Sequence, residues 1–196
     1  MEADDKPAPM AGSGTGLACV VALMGLPGAG KSTVARMLEC EFGLRLVSRD
    51  AIRAAMFPRC DHSFAEKQAA LHGVVLAVEI NGLLGASSVI DGVTFSREED
   101  RRRVAELARR QGLGLLHLML DCPLELARER VLRDLGGRTH PAADRNADLV
   151  DAVAARFAPP PADATRIDAS LAQAEVLRLA REAVAARLFR DAPSLL

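Results

Sequence analysis

Apolar residues come in blocks along this chain, and the spacing inside the blocks changes from one to the next. Leu17 to Met24 is an unbroken apolar run that ends in Gly25, Leu26 and Pro27. Continuous apolarity over that length fits a strand buried on both faces of a parallel sheet. From Lys31 the period lengthens: Val34, Ala35, Leu38 and Phe42 recur at helical spacing, and Gly43 stands where a cap is needed. Leu44 to Val47 predicts a second strand, residues 63–84 a long helix, and Val89-Ile90-Asp91 a third strand. A charged helix over Glu98 to Gln111, closed by Gly112, leads to a fourth buried strand over Leu113 to Leu120. Pro123 suits the first turn of another helix. Residues 136–148 predict a flexible loop, and 148–157 a short helix ended by Pro159, Pro160 and Pro161. A fifth strand over Thr165 to Asp168 and an amphipathic helix over Leu171 to Phe189, with one solvated face, close the pattern. Strands alternating with helices predict stacked βαβ units, hence an α/β fold with a parallel sheet. Residues 1–16 and 191–196 predict tails outside a single domain over 17–190.

Composition narrows the class. Apolar residues make up 49% of 196, enough for a full core without staples. Lys and Arg number 25 against 26 Asp and Glu, which argues against a general binder of polyanions. Trp and Tyr are absent, so aromatic platforms for stacking bases are not expected, and nucleic acid is not an expected partner. Cys19, Cys40, Cys60 and Cys122 form no CxxC pair and predict buried thiols in a reducing compartment. No apolar run reaches the roughly 18 residues of a membrane span, and the acidic start Met1 to Asp5 lacks a signal peptide's basic region. The expectation is a soluble cytoplasmic protein. The histidines, His62, His72, His117 and His140, are scattered without metal-ligand spacing, and His117 reads as a hydrogen-bonded core residue. Met24, Met37, Met56 and Met119 read as core filling.

One segment carries chemistry directly. Gly25, Leu26, Pro27, Gly28, Ala29, Gly30, Lys31 and Ser32, followed by Thr33, match G-x-x-x-x-G-K-[ST]. Glycines let the backbone curl so that several N–H groups face one point. The helix beginning near Lys31 adds its positive end. Lys31 then reaches the β- and γ-phosphates, and the Ser32 hydroxyl binds Mg²⁺. A buried strand before the motif and a helix after it are the context the motif requires. The expected ligands are a nucleoside triphosphate and Mg²⁺.

Ligands of open parallel sheets sit beyond the carboxyl ends of the strands, so polar groups at the other strand ends are candidates for the site. After strand two, Asp50 stands where a kinase needs a carboxylate to take a hydroxyl proton, and Arg53 follows one turn later as an acceptor contact. The alternative is that Asp50 caps the next helix and Arg53 is a surface charge. After strand three, Asp91 is placed to hold Mg²⁺ through water, on the acceptor side with Arg97. The run Arg101-Arg102-Arg103 reads mainly as a solvated helix face. After strand four, Arg130 and Arg133 share one helical face and can stabilise charge on the γ-phosphate, within a lid over about 131–148 hinged at Gly136-Gly137. The alternative is pairing of such arginines, Arg128 among them, with Glu125 and Glu129.

Together GLPGAGKST, SRDAIR, VIDGVTFSREEDRRR, LDCPLELARER and RFAPPPADATRID resemble the small P-loop kinases, closest to the AAA_33, zeta-toxin and chloramphenicol-phosphotransferase-like set, over about residues 17–190. The resemblance implies a P-loop NTPase fold with five parallel strands, helices on both faces and a small Arg-bearing lid. It implies ATP-dependent phosphorylation of a small-molecule hydroxyl, with Asp50 as base, Arg53 on the acceptor, and Lys31 and Ser32 on phosphate and Mg²⁺. Arg130 and Arg133 match lid arginines. Arg49 stands where many relatives carry Ser or Thr and adds a charge beside the acceptor pocket. The rival classes are a guanine-nucleotide switch and a plain ATPase. A switch needs N-K-x-D, whereas Asn81 and Asn146 are followed by Gly and Ala. An ATPase needs a water-activating side chain next to Asp91, where Gly92 stands.

Overall fold

The computed structural model describes residues 18–61, 63–137 and 147–188, with backbone only at 135–137. Both expected tails lie outside these residues, as do His62, His140 and Arg138. The strands are β1 (Cys19–Met24), β2 (Arg45–Ser48), β3 (Ser88–Asp91), β4 (Gly114–Asp121) and β5 (Thr165–Asp168). The helices are α1 (Lys31–Phe42), α2 (Arg49–Met56), α3 (Phe64–Leu83), α4 (Glu98–Gln111), α5 (Leu124–Gly137), α6 (Ala147–Ala155) and α7 (Gln173–Leu188). The strands form one parallel sheet in the order β2-β3-β1-β4-β5, the α/β class that the alternating pattern predicts.

β1 is central and wholly buried because each of its faces meets a different apolar layer. Cys19, Val21 and Leu23 face Val34 and Leu38 of α1 and Ala180 and Val184 of α7. Val20, Ala22 and Met24 face Leu71, Val74 and Val78 of α3 and Val104 and Leu107 of α4. A strand covered on both sides has no polar face to alternate with, which accounts for the run of apolar residues. Each fully buried aliphatic side chain contributes roughly 1.5–3 kcal/mol relative to exposure.

α2 is the one helix the sequence reading missed, where only a turn was expected at Arg53. Ile52, Ala55 and Met56 share one face, but the residues it buries are the polar Asp50 and Arg53, and a tertiary contact supports it. Gly73 of α3 leaves room for Ile52, whose Cγ2 would lie 2.8 Å from a Cβ at that position. Met56, expected in the core, lies at the end of α2 and is 48% exposed. Cys19 and Cys122 are buried as expected, but Cys40 is exposed and Cys60 is half-buried and donates to Glu66. The proposed lid is helical over 131–137, so Gly136 and Gly137 lie in the last turn of α5, and 138–146 lies outside the described residues.

Arg101 departs from the expected solvated face. Its guanidinium is buried and donates to the carbonyls of Phe95 (2.8 Å), Ala158 (3.3 Å) and Pro159 (2.9 Å). It ties the loop after β3 to the chain after α6. Arg102 is exposed as expected, and Arg103 donates to Gln68 of α3 at 2.7 Å.

His117 is buried in β4, but its Nε2 has no hydrogen-bond partner, so it is not the satisfied core residue expected. Burial pushes its pKa down, with Asp163 opposing and Arg101 adding to the effect. The neutral ring is therefore favoured by folding, and the unfolded chain binds the proton more readily. Stability from this residue is present above about pH 6.5 and falls as the pH drops through the range below. His117→Leu should flatten the acid-side slope of Tm in thermal melts between about pH 5 and about pH 7. An unaltered slope in H117L would show that this ring does not titrate with unfolding.

Candidate active site

The loop between β1 and α1 must leave a buried strand and start a helix within a few residues. Gly28 makes this possible: its φ is +81°, and a Cβ there would stand 2.5 Å from the carbonyl oxygen of Ala127 in α5. α1 starts after Gly30 without a side-chain cap or an acidic residue in its first turn. α2 and α3 are instead capped by Ser48 and Ser63. A helix start whose N–H groups no side chain caps offers them and its positive end to an anion.

Lys31 is 6% exposed, and its Nζ donates to the carbonyls of Gly25 (2.9 Å) and Leu26 (2.8 Å). Ser32 Oγ donates to Asp91 Oδ1 at 3.1 Å. Pairing of β1 with β3 brings the ends of these strands side by side and makes that contact possible. A hydroxyl and a carboxylate are the hard oxygen donors Mg²⁺ prefers. Among the described residues no three His, Cys, Asp or Glu side chains gather as a metal site, so protein oxygens alone do not make a full coordination sphere. That matches a cation shared with phosphate oxygens.

A cavity of about 460 Å³ opens over this loop. Arg130 and Arg133 line it from α5, as their spacing predicts, and Ala169, Leu171 and Val176 line it from the end of β5 and from α7. These last residues were not anticipated, although the strand-end rule applied to β5 points to Ala169 and Leu171. Arg130 also donates to Cys122 Sγ at 3.9 Å. Arg128 points elsewhere: it bridges Glu125 and Asp151 at 2.6 Å each and joins α5 to α6.

On the other side of the loop a cavity of about 70 Å³ is lined by Lys31, Asp50, Gly92, Thr94 and Arg156, among others. Ser48 caps α2 by accepting from the Ala51 N–H at 3.3 Å, so Asp50 is not the cap and sits in the first turn. Asp50 is 8% exposed. Its Oδ1 lies 3.5 Å from Arg49 and 3.5 Å from Arg53. Arg53 is 4% exposed and turns inward onto Asp50, neither a surface charge nor a group reaching an open pocket. Gly92 allows the close approach of Asp50, since a Cβ there would lie 3.3 Å from its Cγ. Asp91 accepts from Ser32 and does not line the small cavity that holds Asp50. Arg97 lies farther out, over the Phe64 ring at 5.0 Å, and lines a third cavity of about 240 Å³.

A family model described as an AAA domain, AAA_33, matches residues 20–160. No curated protein matches the sequence. Among solved structures, a candidate kinase from Chloroflexus aurantiacus superposes with TM-score 0.69 at 16% identity, over 89% of this chain and 100% of that one. A gluconokinase from Sinorhizobium meliloti gives 0.66 at 17%, over 89% and 95%. The Mycobacterium tuberculosis APS kinase, solved with AMPPNP and APS, gives 0.61 at 18%, over 86% and 96%. The shared fold is the kinase-like P-loop fold. Among the described residues no helix is long and apolar enough to cross a membrane.

The Asp50–Arg53 contact should register as a coupling energy. A double-mutant cycle of Asp50→Asn and Arg53→Met in urea melts should give about 0.5–3 kcal/mol between the sites. Strictly additive losses would show that the two side chains do not interact.

Proposed function

Because the chain belongs to the AAA_33 family and sets a phosphate cradle beside a buried carboxylate, we propose that it is a phosphotransferase. It moves the γ-phosphate of Mg·ATP to a hydroxyl of a small molecule. The observation that carries this reading is the position of Lys31, which lines both the cavity over the loop and the smaller one that holds Asp50. A nucleotide on one side and an acceptor on the other would meet at its ammonium.

In this reading the backbone of Gly25 to Thr33 cradles the phosphates, and Lys31 follows the β- and γ-oxygens. Ser32 and Asp91 would hold Mg²⁺, which when bound would neutralise phosphate charge. Arg130 and Arg133 face the nucleotide cavity and take charge that develops on the transferred group. The acceptor oxygen forms a bond to the γ-phosphorus as the bond to the β–γ bridging oxygen breaks, and ADP leaves with the electron pair. Asp50 takes the hydroxyl proton. Arg53 is assigned to holding Asp50 in place, and Arg97 to the acceptor chamber. The fold shared with a gluconokinase and an APS kinase supports a small-molecule acceptor.

Lys31→Ala should lower nucleotide-dependent turnover by about a hundredfold or more, measured with γ-labelled ATP. Turnover at the wild-type rate in K31A would remove the cradle assignment. Asp50→Asn should keep Mg·ATP affinity within about twofold while transfer falls about 10²- to 10⁴-fold. Normal transfer with weakened ATP binding in D50N would put Asp50 on the nucleotide's side of the site.

A further inference from the structure

The chamber beyond Asp50 has a charge that the transfer chemistry does not require. The cavity of about 240 Å³ and the small one holding Asp50 share Arg49, Lys67, Thr94, Leu149 and Arg156 in their linings, so the two lie against the same side chains. Arg97 joins them at the outer end. Five cationic side chains, Lys31, Arg49, Lys67, Arg97 and Arg156, thus line the two cavities, whose acidic groups are Asp50 and Asp100. Asp50 is already engaged with Arg49 and Arg53.

The outer cations have the Asp100 carboxylate nearby but are not paired with it. Neither Arg97 nor Arg156 forms an ion pair among the described residues. Arg97 is held in place by its contact with the Phe64 ring, 5.0 Å away. Arg49 Nε is buried with no hydrogen-bond partner. The Arg156 guanidinium is pushed below its ordinary pKa by burial and then by Arg97 and Arg49, with Asp100 opposing. Like charges this close repel, and an anion between them relieves the repulsion and satisfies their N–H groups. Guanidinium forks match the planar or tetrahedral oxygens of carboxylate, phosphate and sulfate.

We infer that the acceptor is an alcohol that also carries an oxyanion group, with its hydroxyl at Asp50 and its phosphate, sulfate or carboxylate among Arg49, Arg97 and Arg156. This inference rests on the phosphotransferase reading for the hydroxyl end only; the anion seat stands on the cationic chamber itself.

The test pairs neutral alcohols with their anionic counterparts in a γ-labelled ATP assay on the full chain: glycerol against glycerol 3-phosphate and glycerate, and a hexose against its 6-phosphate and its aldonate. At least one anionic member should exceed its neutral partner about tenfold or more in kcat/KM, and the phosphate and carboxylate arms identify which oxyanion is read. Arg97→Gln and Arg156→Gln should each raise KM for that substrate about tenfold while direct Mg·ATP affinity stays within twofold. Equal or better use of the neutral partners, or equal loss on both in the variants, would overturn the inference and leave the phosphotransferase reading standing. A second measurement keeps the seat testable if no alcohol is phosphorylated, the outcome that would count against the phosphotransferase reading. Calorimetric titration of phosphate, sulfate and malonate into wild type, K31A and R97Q/R156Q should show saturable binding that survives in K31A and is lost in the double variant. Absence of that binding, or its loss in K31A alone, would overturn the oxyanion seat.

Discussion

The site depends on one buried contact, the Lys31 ammonium held by the carbonyl oxygens of Gly25 and Leu26. A cation that is 6% exposed is costly to bury unless its donors are satisfied. The two carbonyls meet that requirement, and they come from the loop that Lys31 itself closes. The loop can present them only because β1 is buried on both faces and ends at a fixed place, and because α5 lies against Gly28. Strand, loop, helix and side chain are therefore one unit. It projects an ammonium to the boundary between two cavities rather than into either one alone.

A second constraint shapes the acceptor side. The loop after β3 is fixed at both ends by groups remote in sequence. The Gly25 N–H donates to the Thr94 carbonyl at 3.2 Å, tying this loop to the phosphate cradle. Arg101 and the Ala158 N–H hold Phe95 and Ser96 from the other side. Phe95 has φ +50°, the one non-glycine residue with positive φ among those described. Such a backbone costs about 1–3 kcal/mol and persists where its surroundings over-determine it. Its side chain is fully buried and Arg101 grips its carbonyl, so the loop is rigid where it passes between cradle and acceptor chamber.

Asp50 shows how the two constraints meet. Ser48 pairs with Asp91 across β2 and β3 and also caps α2, which sets the first turn of α2 at the end of the sheet. Gly92 then lets that turn close in beside Asp91, and Arg53 reaches back from the next turn. The carboxylate is held by backbone pairing, a missing Cβ and a buried guanidinium.

The amino-acid order alone determined the elements other than α2, the parallel sheet, the glycine loop between β1 and α1 and the strand ends that carry Asp50, Asp91 and Arg130 with Arg133. These follow from local rules, namely apolar period, glycine spacing and i, i+3 geometry, which act over a few residues. Tertiary structure decided what side chains of equal chemistry do. Arg101 and Arg102 are neighbours in one charged run, yet one is a buried clamp and the other is exposed. Arg53 faces Asp50, whereas Arg156 and Lys67, which carried no local signal, line the cavities beside Asp50 with Arg49. His117 sits in an apolar strand whose sequence could not show that its Nε2 lacks a partner. The physical reason is range. Backbone preference is set by nearest neighbours, but the desolvation and pairing of a charge are set by whatever chain packs against it, here from elements remote in sequence.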